Sequence, residues 1–147
     1  MSQLRQLAEP FRGDLVKKAP QGKYGDYVSH STVTERALSI VGPFSQEVRH
    51  VITDEDGVVT GVVLRVTAVV DGQQVSVEEA GDVENPGSKK TNGARLKDAI
   101  SDAHKRCWMR LGLGLHLWSQ GDYFLPAQLD KDGYQAEVRV LREGEGD

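Results

Sequence analysis

The sequence predicts an α+β fold, an antiparallel β-meander of three or more strands packed by one long amphipathic helix in β-β-β-α order. Three observations carry this expectation. Ser45–Thr53 alternates, with Val48, His50 and Ile52 on one side, and runs into the turn Asp54-Glu55-Asp56-Gly57. Val58–Val70 is the longest β-branched run, and Asp71-Gly72 follows it as a second hairpin signal before Gln73–Glu79. After a polar loop, Gly81–Asn92, the residues Leu96, Ile100, Ala103, Cys107 and Leu111 fall within about 80° on a helical wheel. A helix placed after a run of antiparallel strands argues for α+β rather than for a parallel, doubly wound sheet.

The remaining elements follow in order. Ser2–Phe11 can form a short helix stopped near Pro10, Asp14–Ala19 is a short extended candidate, and Gly22–Gly25 is a turn. Tyr24–Val28 reads as another short strand. Ser31 or Thr32 can cap a helix whose face carries Val33, Ala37, Leu38 and Val41, and Gly42-Pro43 ends it. Asn92 can cap the long helix, which Gly112 and Gly114 close near Leu111. Tyr123–Leu125 and Tyr134–Leu141 are later strand candidates, separated by Asp-Lys-Asp-Gly, and Glu143–Asp147 is an acidic tail expected to be flexible. The division expected is a domain over residues 1–127, followed by an extra strand and tail over 128–147.

At 147 residues the chain can bury roughly two-thirds of its unfolded surface in one core. A single cysteine, Cys107, excludes a disulfide framework and a Cys-rich zinc site. No apolar signal segment or run near the ~20 residues of a membrane span is present, so the expectation is a cytoplasmic protein without membrane contact.

Charge is distributed unevenly. Ser88–Gly114 holds seven basic residues (Lys89, Lys90, Arg95, Lys97, Lys105, Arg106, Arg110) against Asp98 and Asp102, within a chain of net charge −4. A positive stretch on an acidic protein is a directed feature whose usual targets are polyanions. Arg95, Arg106 and Arg110 lie within about 60° beside the apolar stripe, where guanidinium forks suit a sugar-phosphate backbone. Asp102 and Arg106 are also spaced i,i+4, so part of this charge can be ordinary helix-surface pairing. Tyr24 and Tyr27 follow Lys17, Lys18 and Lys23, a placement that suits base stacking, whereas Trp108 and Trp118 read as packing residues.

Catalytic patterns are missing. No Walker loop occurs, and Gly112-Leu113-Gly114 lacks the third glycine of a dinucleotide loop and follows a helix. His30, His50, His104 and His116 show no metal-ligand spacing, and there is no Gly-x-Ser-x-Gly elbow. The acidic groups Asp54–Asp56 and Glu78–Glu84 fit solvated turns better than a nuclease centre. The expectation is a non-enzymatic protein without cofactor or metal.

Residues 97–112, Lys-Asp-Ala-Ile-Ser-Asp-Ala-His-Lys-Arg-Cys-Trp-Met-Arg-Leu-Gly, resemble the helix of the Rad-fifty-two superfamily of single-strand annealing proteins, in which the pattern is roughly Lys-Glu-Ala-x-x-Asp-x-x-Lys-Arg-Ala-x-Arg-x-x-Gly. Tyr27–Leu38 up to Gly42 is similar to that family's "Tyr-Ile, helix, Phe-Gly" segment, and Gly61–Gly72 with Glu78–Gly81 is similar to its central hairpin. The likeness covers about Asp14 to Gly114, and the length, without a long C-terminal region, looks like a phage-encoded or bacterial member rather than a eukaryotic one. It implies ATP-independent annealing of complementary strands in recombination and repair, by rings or filaments of many subunits. Single-stranded DNA would lie in a basic groove, backbone inward. The inner groove would take Lys105, Arg106 and Tyr27, with Lys17 or Lys18 before the tyrosine. A further family arginine falls on Met109, with Arg110 one position later. An outer DNA site would fall near Lys89, Lys90, Arg95 and Lys97. Partners implied are single-stranded DNA, further copies of the chain, and a single-strand-binding protein or exonuclease. Two other readings stand beside this one. They are a strand-protecting protein of OB type, which the helix after the meander disfavours, and a non-DNA assembly protein whose basic helix makes subunit contacts.

Overall fold

The computed structural model describes residues 1–18, 26–84, 87, 91–119 and 121–131. In chain order these form α1 (Gln3–Ala8), a 3-10 turn (Gly13–Leu15), β1 (Lys17–Lys18), β2 (Asp26–Tyr27), α2 (His30–Val41), β3 (Ser45–Thr53), β4 (Val59–Val70), β5 (Gln73–Asp82) and α3 (Asn92–Arg110). A 3-10 turn over Leu115–Leu117 follows, then a short helix over residues 125–131. The protein is α+β, with a three-stranded antiparallel sheet in the order β3-β4-β5 and a separate antiparallel pair, β1-β2.

Both expected hairpins form, for the reasons their turn residues suggest. The Asp54 carboxylate accepts the backbone amides of Asp56 (2.9 Å) and Val58 (3.0 Å), while Gly57 takes φ +76°. Asp71 and Gly72 both have positive φ, the geometry whose twist matches the flanking strands. Asp71 also docks α1: its carboxylate accepts the amides of Gln3 (2.7 Å) and Leu4, and its own amide donates to Gln3 Oε1 (2.7 Å).

A bulge corrects the expected face of β3. The register slips at Arg49, so Val48 opposes Leu64 and Val51 opposes Val62, whereas His50 opposes Val63 and Ile52 opposes Gly61. Directly opposed residues share a face. Val48 therefore lies on the helix-facing side with Val51, and His50 and Ile52 lie on the other; one extra residue inverts the alternation.

The core sits between α3 and strands β4 and β5. Val62, Leu64, Val66 and Ala68 form the inward row of β4, covered by Ala99, Ala103 and Cys107 of α3. Burial of each larger aliphatic in that row contributes about 2 kcal/mol. Small residues on α3 let the helix come close, and Gly81 on β5 completes the fit. A Cβ there would overlap the Ala99 carbonyl oxygen and the Ala103 amide. Cys107 is buried, with its thiol toward the carbonyls of Leu64 (3.6 Å) and Val77 (3.8 Å), and burial pushes its pKa up to about 11. Trp108 is fully buried edge-on against Phe44 (ring centroids 4.9 Å apart), as its reading as a packing residue requires.

Several local expectations are corrected. Ser29, not Ser31 or Thr32, caps α2, its hydroxyl accepting from the Thr32 amide. That choice places Val28 before the cap and Val33 at the fourth helical position, both buried, as a hydrophobic staple requires. Thr91 rather than Asn92 caps α3. Asn92 instead ties the helix to the sheet, accepting from the Val59 amide and donating to the Gly57 carbonyl. Asp14 lies in a 3-10 turn, so among the described residues of the expected Asp14–Ala19 segment only Lys17–Lys18 is strand; Ala19 lies outside them. Tyr123–Leu125 is not a strand. Tyr123 donates its hydroxyl to the Ala8 carbonyl, and residue 125 opens the short helix, in which Asp130 pairs with Arg5. The Gly22–Gly25 turn, the Tyr134–Leu141 strand and the Glu143–Asp147 tail lie outside the described residues. No helix among the described residues is long and apolar enough to cross a membrane.

Candidate nucleic-acid interface

Helix α3 sets out most of the candidate residues. It ends as the two glycines require: the Gly112 amide donates to the Met109 carbonyl and the Leu113 amide to the Trp108 carbonyl, both at 3.0 Å, with Gly112 at φ +93°. This is a Schellman closure. Gly114, also left-handed, then turns the chain into Leu115–Leu117 and Trp118.

Lys105 and Arg106, consecutive on α3, each meet an aromatic ring from a different part of the chain. The Lys105 ammonium stands 5.8 Å from the centroid of the Tyr27 ring. Tyr27 lies on β2 directly opposite Lys17 on β1, and opposed residues of an antiparallel pair project to the same face. Lys17, Tyr27 and Lys105 are thereby brought together from three segments, with Tyr27 still 37% exposed. Lys18 opposes Asp26 in the same ribbon and is also exposed.

On the other side of the pair, the Arg106 guanidinium lies 4.7 Å from the Trp118 ring centroid, and its Nε donates to Asp102 at 3.0 Å. Asp102 is held in turn by the Asp82 amide (3.0 Å). The expected i,i+4 pairing is therefore present, and it orients Arg106 without burying it. Trp118, read from sequence as a packing residue, is instead 40% exposed.

Not every expected residue joins this region. Arg110 donates through Nε to Glu79 on β5 at 2.6 Å, which draws it toward the sheet. Arg95 donates to the Asn92 side chain at the start of α3. Lys97 is exposed, and its position two residues from Arg95 puts the two on different sides of the helix. Lys89 and Lys90 lie outside the described residues. Tyr24 and Lys23 also lie outside them.

Between the basic residues and the core lies His104, the one buried polar or charged side chain among the described residues. Its Nδ1 faces Gln46 Oε1 on β3 at 2.6 Å, and its Nε2 faces Thr34 Oγ1 on α2 at 2.9 Å. Burial, reinforced by His30 and Lys105, pulls its pKa down to about 4, so the ring is neutral at pH 7. It ties α2, α3 and β3 together directly behind Lys105.

No group of three or more His, Cys, Asp or Glu among the described residues could hold a metal ion. The chain matches no known protein-family model and no curated protein.

Proposed function

We propose that this chain is a single-stranded DNA-binding and annealing protein that works without ATP and without catalysing a covalent step. The observation that carries the reading is the convergence of Lys17, Tyr27 and Lys105, beside Arg106 and Trp118, on one end of α3. Lysine and arginine hold phosphates without reading sequence, and exposed aromatic rings suit unpaired bases. The sequence resemblance points to three of these positions, Lys105, Arg106 and Tyr27, and to Lys17 or Lys18 as a fourth. Bases presented along an extended strand could then test a complement, with base pairing supplying both specificity and driving force.

Assembly into a ring or filament belongs to the same proposal. All nine residues of β3 are exposed, because α3 packs on β4 and β5 and leaves the outer strand uncovered. Val48, Val51 and Ile52 are among the large apolar residues exposed there. A long exposed edge strand carrying three apolar side chains offers a surface for pairing, and further copies of the chain would cover it.

The test is annealing of two complementary labelled oligonucleotides with no ATP present. Acceleration over the spontaneous rate is expected. Binding that suppresses annealing would replace this reading with strand protection, and no binding at low salt would assign the basic end of α3 to subunit contacts.

A further inference from the structure

Trp118 is a large apolar ring left 40% exposed, yet its position is closely determined. Its amide donates to the Leu115 carbonyl at 2.9 Å, and that turn is entered through the left-handed Gly114. One side of the indole meets the Arg106 guanidinium, which Asp102 tethers through Nε, and Asp102 is anchored by the Asp82 amide. Among the described residues, the two terminal amino groups of Arg106 carry no hydrogen bond, so the guanidinium keeps donors to offer while its face is occupied. A fixed aromatic surface joined to a cation with open donors matches one ligand unit well: a planar base with its adjoining phosphate.

We propose that Trp118 is a base-stacking platform, with a nucleobase of single-stranded DNA resting on its exposed surface and the neighbouring phosphate held by Arg106. This rests on the single-strand-binding reading and adds a residue lying beyond the segment on which the sequence resemblance is built. It also assigns the two residues of the Lys-Arg pair different tasks. Lys105, with Tyr27 and Lys17, forms one contact; Arg106, with Trp118, forms a second about 100° further round the helix.

The chain contains two tryptophans, and Trp108 is fully buried, beyond the reach of a stacking base, so quenching by contact with a base reports on Trp118. The full-length protein is titrated with a fluorescein-labelled oligothymidylate and with an abasic oligomer of the same length. Anisotropy reports binding, and tryptophan emission of unlabelled complexes reports stacking. Oligothymidylate should quench the emission and the abasic oligomer should not. Trp118→Phe should abolish the quench while keeping most of the affinity, which assigns the signal. Trp118→Ala should weaken oligothymidylate binding about tenfold and leave abasic binding unchanged. Quenching of the unmodified protein keeps the test decisive even if Trp118→Ala fails to fold. Tight oligothymidylate binding with unquenched emission overturns the platform while the annealing reading stands. Equal loss for both oligomers in Trp118→Ala overturns it too, reducing Trp118 to a support for Arg106. Failure of both oligomers to bind at low salt overturns the platform together with the reading on which it rests.

Discussion

His104 Nδ1 lies 2.6 Å from Gln46 Oε1, so a helix residue next to the basic pair is fastened to the one strand of the sheet that is exposed along its whole length. Nδ1 donates to that amide oxygen from a ring that burial keeps uncharged at pH 7. The histidine has its folded pKa lowered from 6.5 to about 4 by burial and by the nearby His30 and Lys105. An unfolded chain therefore takes up a proton on this residue between these two pH values while the folded chain does not. The stability held above pH 6.5 is lost as pH falls toward 4, by roughly 3 kcal/mol. Urea unfolding of the wild-type protein at pH 7 and pH 4.5, compared with His104→Gln, measures this. The variant should show a smaller difference between the two pH values.

The close approach of α3 to β5 makes Gly81 intolerant of any side chain. Gly81→Val should destabilise the protein by about 3 kcal/mol or more, since the clash is with helix backbone rather than with a flexible side chain. Gly72→Ala, where the added Cβ has open space but φ is +79°, should cost only about 1 kcal/mol. Denaturation midpoints separate the two.

Lys105→Ala with Arg106→Ala should cut single-strand affinity by an order of magnitude or more. It should also lower the slope of log affinity against log salt by about 1.4, the share of two phosphate contacts. Size-exclusion chromatography with light scattering should show the assembly unchanged. Equal affinity and slope in the variant would remove both residues from the interface.

Arg110→Ala should behave differently. Its guanidinium is drawn to Glu79, so the loss in affinity should be under about threefold, measured in the same titrations. A loss as large as that of the Lys105 and Arg106 pair would place Arg110 on the strand.

If β3 is covered by another copy of the chain, charge on its helix-facing side should break the assembly without unfolding the subunit. Val48 and Val51 are 44% and 36% exposed, so Val48→Lys with Val51→Lys should shift the light-scattering mass to that of the monomer. Thermal unfolding of the isolated subunit should change little.

The sheet was legible because its signals are local. Alternation over Ser45–Thr53 and the turn pairs at Gly57 and Gly72 act within a few residues, and the strands start and stop near where those signals lie. The bulge at Arg49 was not legible, since nothing in the strand's own composition marks it; it arises from how β3 docks on β4. The caps were misplaced by one to three residues because Ser29, Ser31 and Thr32 are all competent acceptors. Burial of Val28 and Val33, a tertiary fact, decides among them. The interface divides the same way. Arg106 was marked by helical periodicity and Tyr27 by its place after Lys17 and Lys18, but their grouping with Lys105 came through likeness to a family, because Lys105 and Tyr27 meet only after the β1-β2 ribbon folds against α3. Trp118 was read as a packing residue because its neighbour in the fold, Arg106, lies across a helix end and two left-handed glycines.

The single cysteine gives the chain a built-in clock. The Cys107 thiol is sealed between α3 and the sheet and holds its proton at neutral pH, so a thiol-specific reagent can reach it only when that packing opens. The rate of labelling would then count openings of the core directly, with no reporter added. Any cysteine placed on the surface, at Lys97 for instance, would carry a dye alone while the native one stays silent.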